Sequence, residues 1–240
     1  MAWTLTGTGM PVAGTPRFTA QQTADNVGAE VQLHHSPNCG PRRNGLTPAF
    51  IVIHYTAMET AEAALERLCD PTAEVSAHYL IGTRGDVIQM VEEAARAWHA
   101  GAGAWCGVDD INSRSIGIEL DNRGHHPFSE PQMAVLEELL RGIMQRWNIP
   151  ASGVIGHSDM APGRKTDPGP HFDWARLERR GLAAGAQDRA TGVLDEVAFR
   201  DAASAVGYTA EADFDTLLHT TRLRRAPWRR GPLQKADFVL

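Results

Sequence analysis

Apolar residues fall into short blocks along the chain, and their spacing assigns most of the regular structure. AFIVIHY (49–55) is β-branched and almost continuously apolar, the pattern of a buried central strand. AHYLIG (77–82) and DVIQMV (86–91) flank the turn signal TRGD and predict a β-hairpin. SIGIEL (115–120) predicts a further strand with Ile116 and Ile118 on one face and Glu119 on the other. ASGVIGH (151–157) predicts a short one. Helical spacing takes over elsewhere. Ala61, Ala64, Leu65 and Leu68 recur at i, i+3, i+4 and i+7 in a helix running from Glu59 to Cys69. Met133, Leu136, Leu140, Ile143 and Trp147 form the stripe of a longer helix, begun by Ser129 with Pro131 close behind and ended before Pro150. Asp173 caps WARLERR, which stops at Gly181, and VLDEVAFRDAASAVGY and DFDTLLHTTRLR predict two short amphipathic helices.

Strands interspersed with helices, with one hairpin among them, predict an α/β (α+β) fold: a central mixed β-sheet flanked by helices. Residues 1–181 form that domain. Its first 48 or so residues, rich in Gly, Pro, Thr and Asn, read as an arm laid over the domain rather than a core element. LAAGAQDRAT (182–191) reads as a linker to a small helical C-terminal domain at 192–240.

Composition narrows the function classes. At 42% hydrophobic and 22% charged, the chain has the apolar mass for a real core. A net charge of −6 excludes a generally basic nucleic-acid binder. The late cluster Arg222, Arg224, Arg225, Arg229 and Arg230 reads as a solvated face. No apolar run approaches the roughly 18 residues of a membrane span. Cys39, Cys69 and Cys106 read as three reduced thiols. The N-terminus has neither a basic n-region nor an apolar h-region, so a cytoplasmic location is expected, with the periplasm or envelope as the alternative. The oligomeric state is left open.

One stretch resists the pattern. GHSDMAPGRKTDPGPHFDW (156–174) gathers two histidines, three aspartates, a lysine and an arginine among prolines and glycines, and predicts neither helix nor strand. It is a solvated surface loop or a site whose ligands are aimed one by one. A catalytic zinc site takes three ligands from His, Asp, Glu or Cys and leaves a fourth position open. His54 ends a buried strand, His157 ends another, Asp167 lies ten residues further on, and Glu119 lies near the end of a third strand. Alone, His54 reads first as a core histidine bonded to a backbone carbonyl. Four polar groups aimed at one sheet edge are harder to account for by burial. The pairs His34-His35 and His125-His126 lack an acidic partner at fixed spacing and read as surface.

Together with IVIHYTA and SIGIELDN upstream, the stretch resembles the type 2 N-acetylmuramoyl-L-alanine amidases, zinc enzymes related to peptidoglycan recognition proteins and phage amidases. The resemblance covers roughly residues 30–180, and the His-x9-Asp loop with Lys two residues before the Asp is its most specific part. It implies that His54, His157 and Asp167 hold Zn2+, that Glu119 works on water, and that Lys165 faces the carbonyl oxygen of the scissile amide. The implied bond joins N-acetylmuramic acid, or its 1,6-anhydro form, to the L-alanine of a stem peptide, in muropeptides or peptidoglycan. AWHAGAGAW (97–105) then offers Trp98 and His99 to the substrate, with Asn112 and Arg114 as further candidates. Asp159 is a candidate for holding a ligand imidazole or for capping the loop. A recognition module without catalysis is the competing class. The full set of three ligands with Glu119 and Lys165 favours the enzyme, and the absence of an export signal favours soluble anhydro-muropeptides over intact peptidoglycan. The last 50 residues resemble, more weakly, a small peptidoglycan-binding domain, degenerate or truncated, on the strength of AFRDAASAVGY and TLLHTTRLRRAPWRRG.

Overall fold

The computed structural model describes residues 31–190 and 192–240. Eight short strands run along it: β1 (Val31–Leu33), β2 (Cys39–Gly40), β3 (Phe50–Tyr55), β4 (Tyr79–Ile81), β5 (Val87–Gln89), β6 (Arg96–Ala97), β7 (Ser115–Leu120) and β8 (Val154–Gly156). Six of them form one sheet in the order β1-β5-β4-β7-β3-β8, and β2 pairs with β6 apart from it. The predicted hairpin is the antiparallel pair β4–β5, and every other pair in the large sheet is parallel. This is the mixed sheet expected from the sequence. β1 is a difference: part of the expected arm is an edge strand. Three residues with mostly exposed side chains carry no alternation to announce it. The rest of the arm, residues 1–30, lies outside the described residues.

The alternation of β3 and β7 divides the core. Ile51, Ile53, Ile116 and Ile118 face helix α3 (Glu130–Trp147) and pack against its Met133, Leu136, Leu140 and Ile143. Ser129 caps α3 by accepting from the Gln132 N–H, a contact that stabilises a helix by about 1 kcal/mol. Helix α1 (Ala61–Cys69) sets Ala64 and Leu68 against Leu80. Helices α2 (Ile111–Arg114) and α4 (His157–Met160) are single turns. The second corrects the expectation that 156–174 is wholly irregular, because after Gly156, which caps the turn, no proline or glycine occurs until Pro162. α5 (Trp174–Arg179) starts at its Asp173 cap as expected.

α6 (Glu196–Ala205) and α7 (Phe214–Arg225) make up the helical C-terminal unit. It shares an apolar cluster with the sheet: Val52, Ile155 and Met160 pack with Phe199, Leu217, Leu218 and Phe238. The preceding segment is not a free linker. Gln187 and Arg189 donate to the carbonyls of Leu240 and Phe238, tying the chain end back to the start of the unit. Gly207, at φ +119°, lies against the Trp105 indole where any Cβ would stand 2.4 Å from the ring.

Candidate metal centre and substrate cleft

The site lies at the C-terminal ends of the parallel strands, where an open α/β sheet leaves a crevice. His54 on β3 and Glu119 on β7 are register partners, so their side chains leave the same face. β8 runs directly into α4, which begins with His157. The loop after α4 then returns Asp167 to the same point. His54 Nδ1 lies 2.9 Å from His157 Nδ1 and 2.9 Å from Asp167 Oδ2, and the third edge, His157 Nδ1 to Asp167 Oδ2, is 3.0 Å. All three residues are buried.

The outer hydrogen bonds fix which nitrogens carry protons. His157 Nε2 meets the Ala100 carbonyl at 2.9 Å and must donate to it. Ser115 Oγ donates to the Ile111 carbonyl, so it accepts from His99 Nε2 at 3.2 Å. Burial first, then the neighbouring imidazole of His54, hold His99 well below the usual histidine range, so it is neutral. Its Nδ1 therefore accepts from His54 Nε2 at 3.0 Å. Burial also lowers His54 to about 4, with His157 adding to the effect and Asp167 opposing it. The Nδ1 of His54 is then a bare lone pair, and with His157 Nδ1 and an Asp167 carboxylate oxygen it closes a triangle of ligand atoms. Such a triangle fits a divalent cation. In a tetrahedral site with bonds of about 2.0 Å the ligand atoms stand roughly 3.3 Å apart, close to the edges seen here.

Glu119 Oε2 is enclosed without a hydrogen-bond partner among the described residues. Burial, and secondarily the charge of Asp167, push its carboxyl up to about 8 against the pull of Lys165. A carboxyl of this kind exchanges a proton near neutral pH. The cleft in front has a volume of about 390 Å³, and Tyr55, Trp98, His99, Lys165 and Thr166 help to line it.

The structure thus gathers His54, His157, Asp167, Glu119, Lys165, Trp98 and His99 in one place. His99 stands at the cleft while also bracing His54. The close approach needs Gly117, where a Cβ would lie 2.5 Å from the His99 ring. Asn112 and Arg114, expected as substrate contacts, are not among the cleft-lining residues. Asn112 is buried, and its Oδ1 accepts the N–H groups of His99 and Ala100 at 2.9 and 2.8 Å, holding the loop from behind. Arg114 donates to the Asp109 carbonyl. Asp159 bonds no imidazole among the described residues. It accepts from Gly156 N–H, Tyr208 Oη and Arg224, which is the capping alternative with two partners from the C-terminal unit. Tyr79 belongs to the core, fully buried and bonded to Glu93. Ser115, which completes the histidine relay, carries no sequence signal of its role, since its contact depends wholly on the tertiary fold.

Residues 44–170 match the N-acetylmuramoyl-L-alanine amidase family. The chain belongs to that family. It is 39% identical to the N-acetylmuramoyl-L-alanine amidase AmiD of Escherichia coli K12 over 56% of this chain and 53% of that protein. With the 1,6-anhydro-N-acetylmuramyl-L-alanine amidase AmpD of the same organism it shares 35% identity over 59% of this chain and 87% of AmpD. The match thus spans about half the length of AmiD and most of AmpD. Among solved structures, E. coli AmiD in complex with anhydro-N-acetylmuramic acid-L-Ala-D-γ-Glu-L-Lys superposes with a TM-score of 0.72 at 28% identity, covering 86% of this chain and 90% of that one. AmpDH3 of Pseudomonas aeruginosa in complex with an anhydromuramic pentapeptide gives 0.72 at 29% identity, covering 86% and 92%. Both coverages are larger than the 181 residues of the first domain and so extend into the helical C-terminal unit.

Proposed function

We propose that this protein is a zinc amidase that hydrolyses the bond between N-acetylmuramic acid, in its 1,6-anhydro form, and the L-alanine of a stem peptide. The observation that carries the reading is the triangle of His54 Nδ1, His157 Nδ1 and Asp167 Oδ2, with Glu119 in register beside it. Zinc in that triangle supplies Lewis acidity to the scissile carbonyl and makes water a usable nucleophile near neutral pH. The chain's own residues do the rest. His99 and the Ala100 carbonyl hold the ligand imidazoles in the required tautomers. Glu119 takes a proton from the attacking water and returns it to the leaving amine. The ammonium of Lys165, exposed at the cleft, stands by the oxygen on which negative charge develops. Trp98 and Tyr55 offer flat faces to the sugar and the first residues of the peptide.

The likeness to AmiD and AmpD supports a soluble anhydro-muropeptide over intact peptidoglycan. The test is to incubate the purified protein with anhydro-N-acetylmuramic acid-L-Ala-D-γ-Glu-L-Lys and with isolated sacculi, and to read the products by mass spectrometry. Release of the free tripeptide, lost with a chelator and restored by zinc, is expected. Full hydrolysis by metal-free protein overturns the zinc mechanism, and cleavage of sacculi alone overturns the substrate preference.

A further inference from the structure

The cleft wall formed by Tyr55 and Thr166 has a second cavity on its far side. Tyr55 Oη and Thr166 Oγ1 are 3.1 Å apart and hydrogen-bonded, and both residues line both cavities. The second cavity, about 300 Å³, is walled by Gly124 and Pro170 on one side. On the other it meets the C-terminal unit through His219, Leu223, Pro227 and Arg230. A ligand lying across the Tyr55–Thr166 bridge would enter both.

Charge sets the second cavity apart. Four of the five late arginines are engaged inside the fold: Arg222 and Arg229 with Asp237, Arg224 with Asp159, and Arg225 with Glu178. Arg230 has no ion pair among the described residues. Its Nη1 donates to the Pro227 and Arg229 carbonyls, which leaves its charge uncompensated. His219 is exposed beside it, and no carboxylate lines the cavity. Leu223, Pro227, Pro170 and the Tyr55 ring add apolar surface. The combination suits an extended ligand with an apolar stem and an anionic group.

We propose that this cavity is a subsite for a carboxylate on the distal part of the substrate peptide, held by Arg230 while the proximal amide sits at the metal centre. The inference rests on the amidase reading above and extends it: the C-terminal unit contributes directly to substrate recognition. In a muramoyl-L-Ala-D-γ-Glu-L-Lys probe two carboxylates qualify, the α-carboxylate of the γ-linked glutamate and that of the terminal lysine.

The experiment measures KM and kcat for that probe and for its two singly amidated forms, with the wild type, Arg230→Ala and Arg230→Glu. Arg230→Ala is expected to raise KM about threefold, the scale of an exposed ion pair. Arg230→Glu raises it further, because like charges then face each other, and kcat stays within about twofold in both. Amidation of the recognised carboxylate raises the wild-type KM and removes the sensitivity to Arg230→Glu, and the form that does so identifies the group. An unchanged KM in Arg230→Glu overturns the subsite, as does a full Arg230→Glu effect on both amidated forms. Dissociation constants are measured in parallel by calorimetry in a Glu119→Gln background. If the wild type hydrolyses none of the probes, the amidase reading fails, and the calorimetric comparison still decides the subsite.

Discussion

Asp159 in the turn α4 and Asp167 in the loop after it lie eight residues apart, both buried, at 1% and 8% exposure, and they have opposite surroundings. Asp159 is neutralised by the chain itself: Arg224 reaches it at 2.6 Å, Tyr208 Oη at 2.9 Å, and the Gly156 N–H at 2.8 Å. The Arg224 guanidinium also stacks over Trp174 at 3.8 Å. Asp167 faces two imidazole nitrogens instead, and among the described residues no arginine or lysine pairs with it. One buried carboxylate closes the back of the loop against the C-terminal unit, and the other leaves the front open for a cation from outside. A buried charge must be paired. The fold meets that requirement with arginine at Asp159 and with a ligand triangle that fits a cation at Asp167.

Removing the open end has the largest effect expected. Asp167→Ala should lose both metal and amidase activity, read by plasma mass spectrometry and by product release, while the far-UV spectrum is retained. An Asp167→Ala protein that binds zinc and turns over normally contradicts the ligand assignment. At the closed end, Asp159→Ala strands Arg224 without its partner. A loss of about 3–5 kcal/mol is expected, from urea unfolding. The double replacement Asp159→Leu, Arg224→Met should recover much of it. Equal losses in the two variants would mean that packing, and not the stranded charge, sets the cost.

Lys165→Met sharpens the contrast from the other side. Its side chain is exposed and donates no hydrogen bond among the described residues, so zinc content and melting temperature should hold. kcat should fall roughly 10²–10³-fold, as when one oxyanion-stabilising group is removed. The smallest effect concerns the ion pairs of the C-terminal unit. Burial alone would raise the Asp237 carboxyl, but hydrogen bonds from Arg222 and the Gln234 N–H, with the Arg222 charge, bring it below its ordinary value of 3.8. A carboxylate depressed in the folded state adds stability that is present above 3.8 and is lost as pH falls through the folded value. Between pH 5 and pH 3 the melting temperature of the wild type should therefore drop by a few degrees more than that of Asp237→Asn. Parallel curves would remove the pair from the account.

The sequence shows the open end far better than the closed one. His54, Glu119 and His157 can be read because each sits at or near the end of an apolar strand, and strand ends converge on one sheet edge by the geometry of parallel pairing. Asp159 offers no comparable signal. Its partners Tyr208 and Arg224 lie 49 and 65 residues away on a unit whose docking no local pattern announces. The role of Asn112 is equally illegible in sequence, because α2 brings its amide to the 99–100 backbone only through the tertiary fold. The three-residue strand β1 and the pairing of 187–189 with the chain end are likewise held by backbone bonds, which side-chain periodicity does not encode.

Anomalous diffraction at the zinc edge, from crystals grown with equimolar zinc, tests the central contrast most directly. The account predicts a single peak within bonding distance of His54 Nδ1, His157 Nδ1 and an Asp167 carboxylate oxygen, with Asp159 still clasped by Arg224 and Tyr208. Zinc bound anywhere else, or at Asp159 with Arg224 displaced, would contradict it.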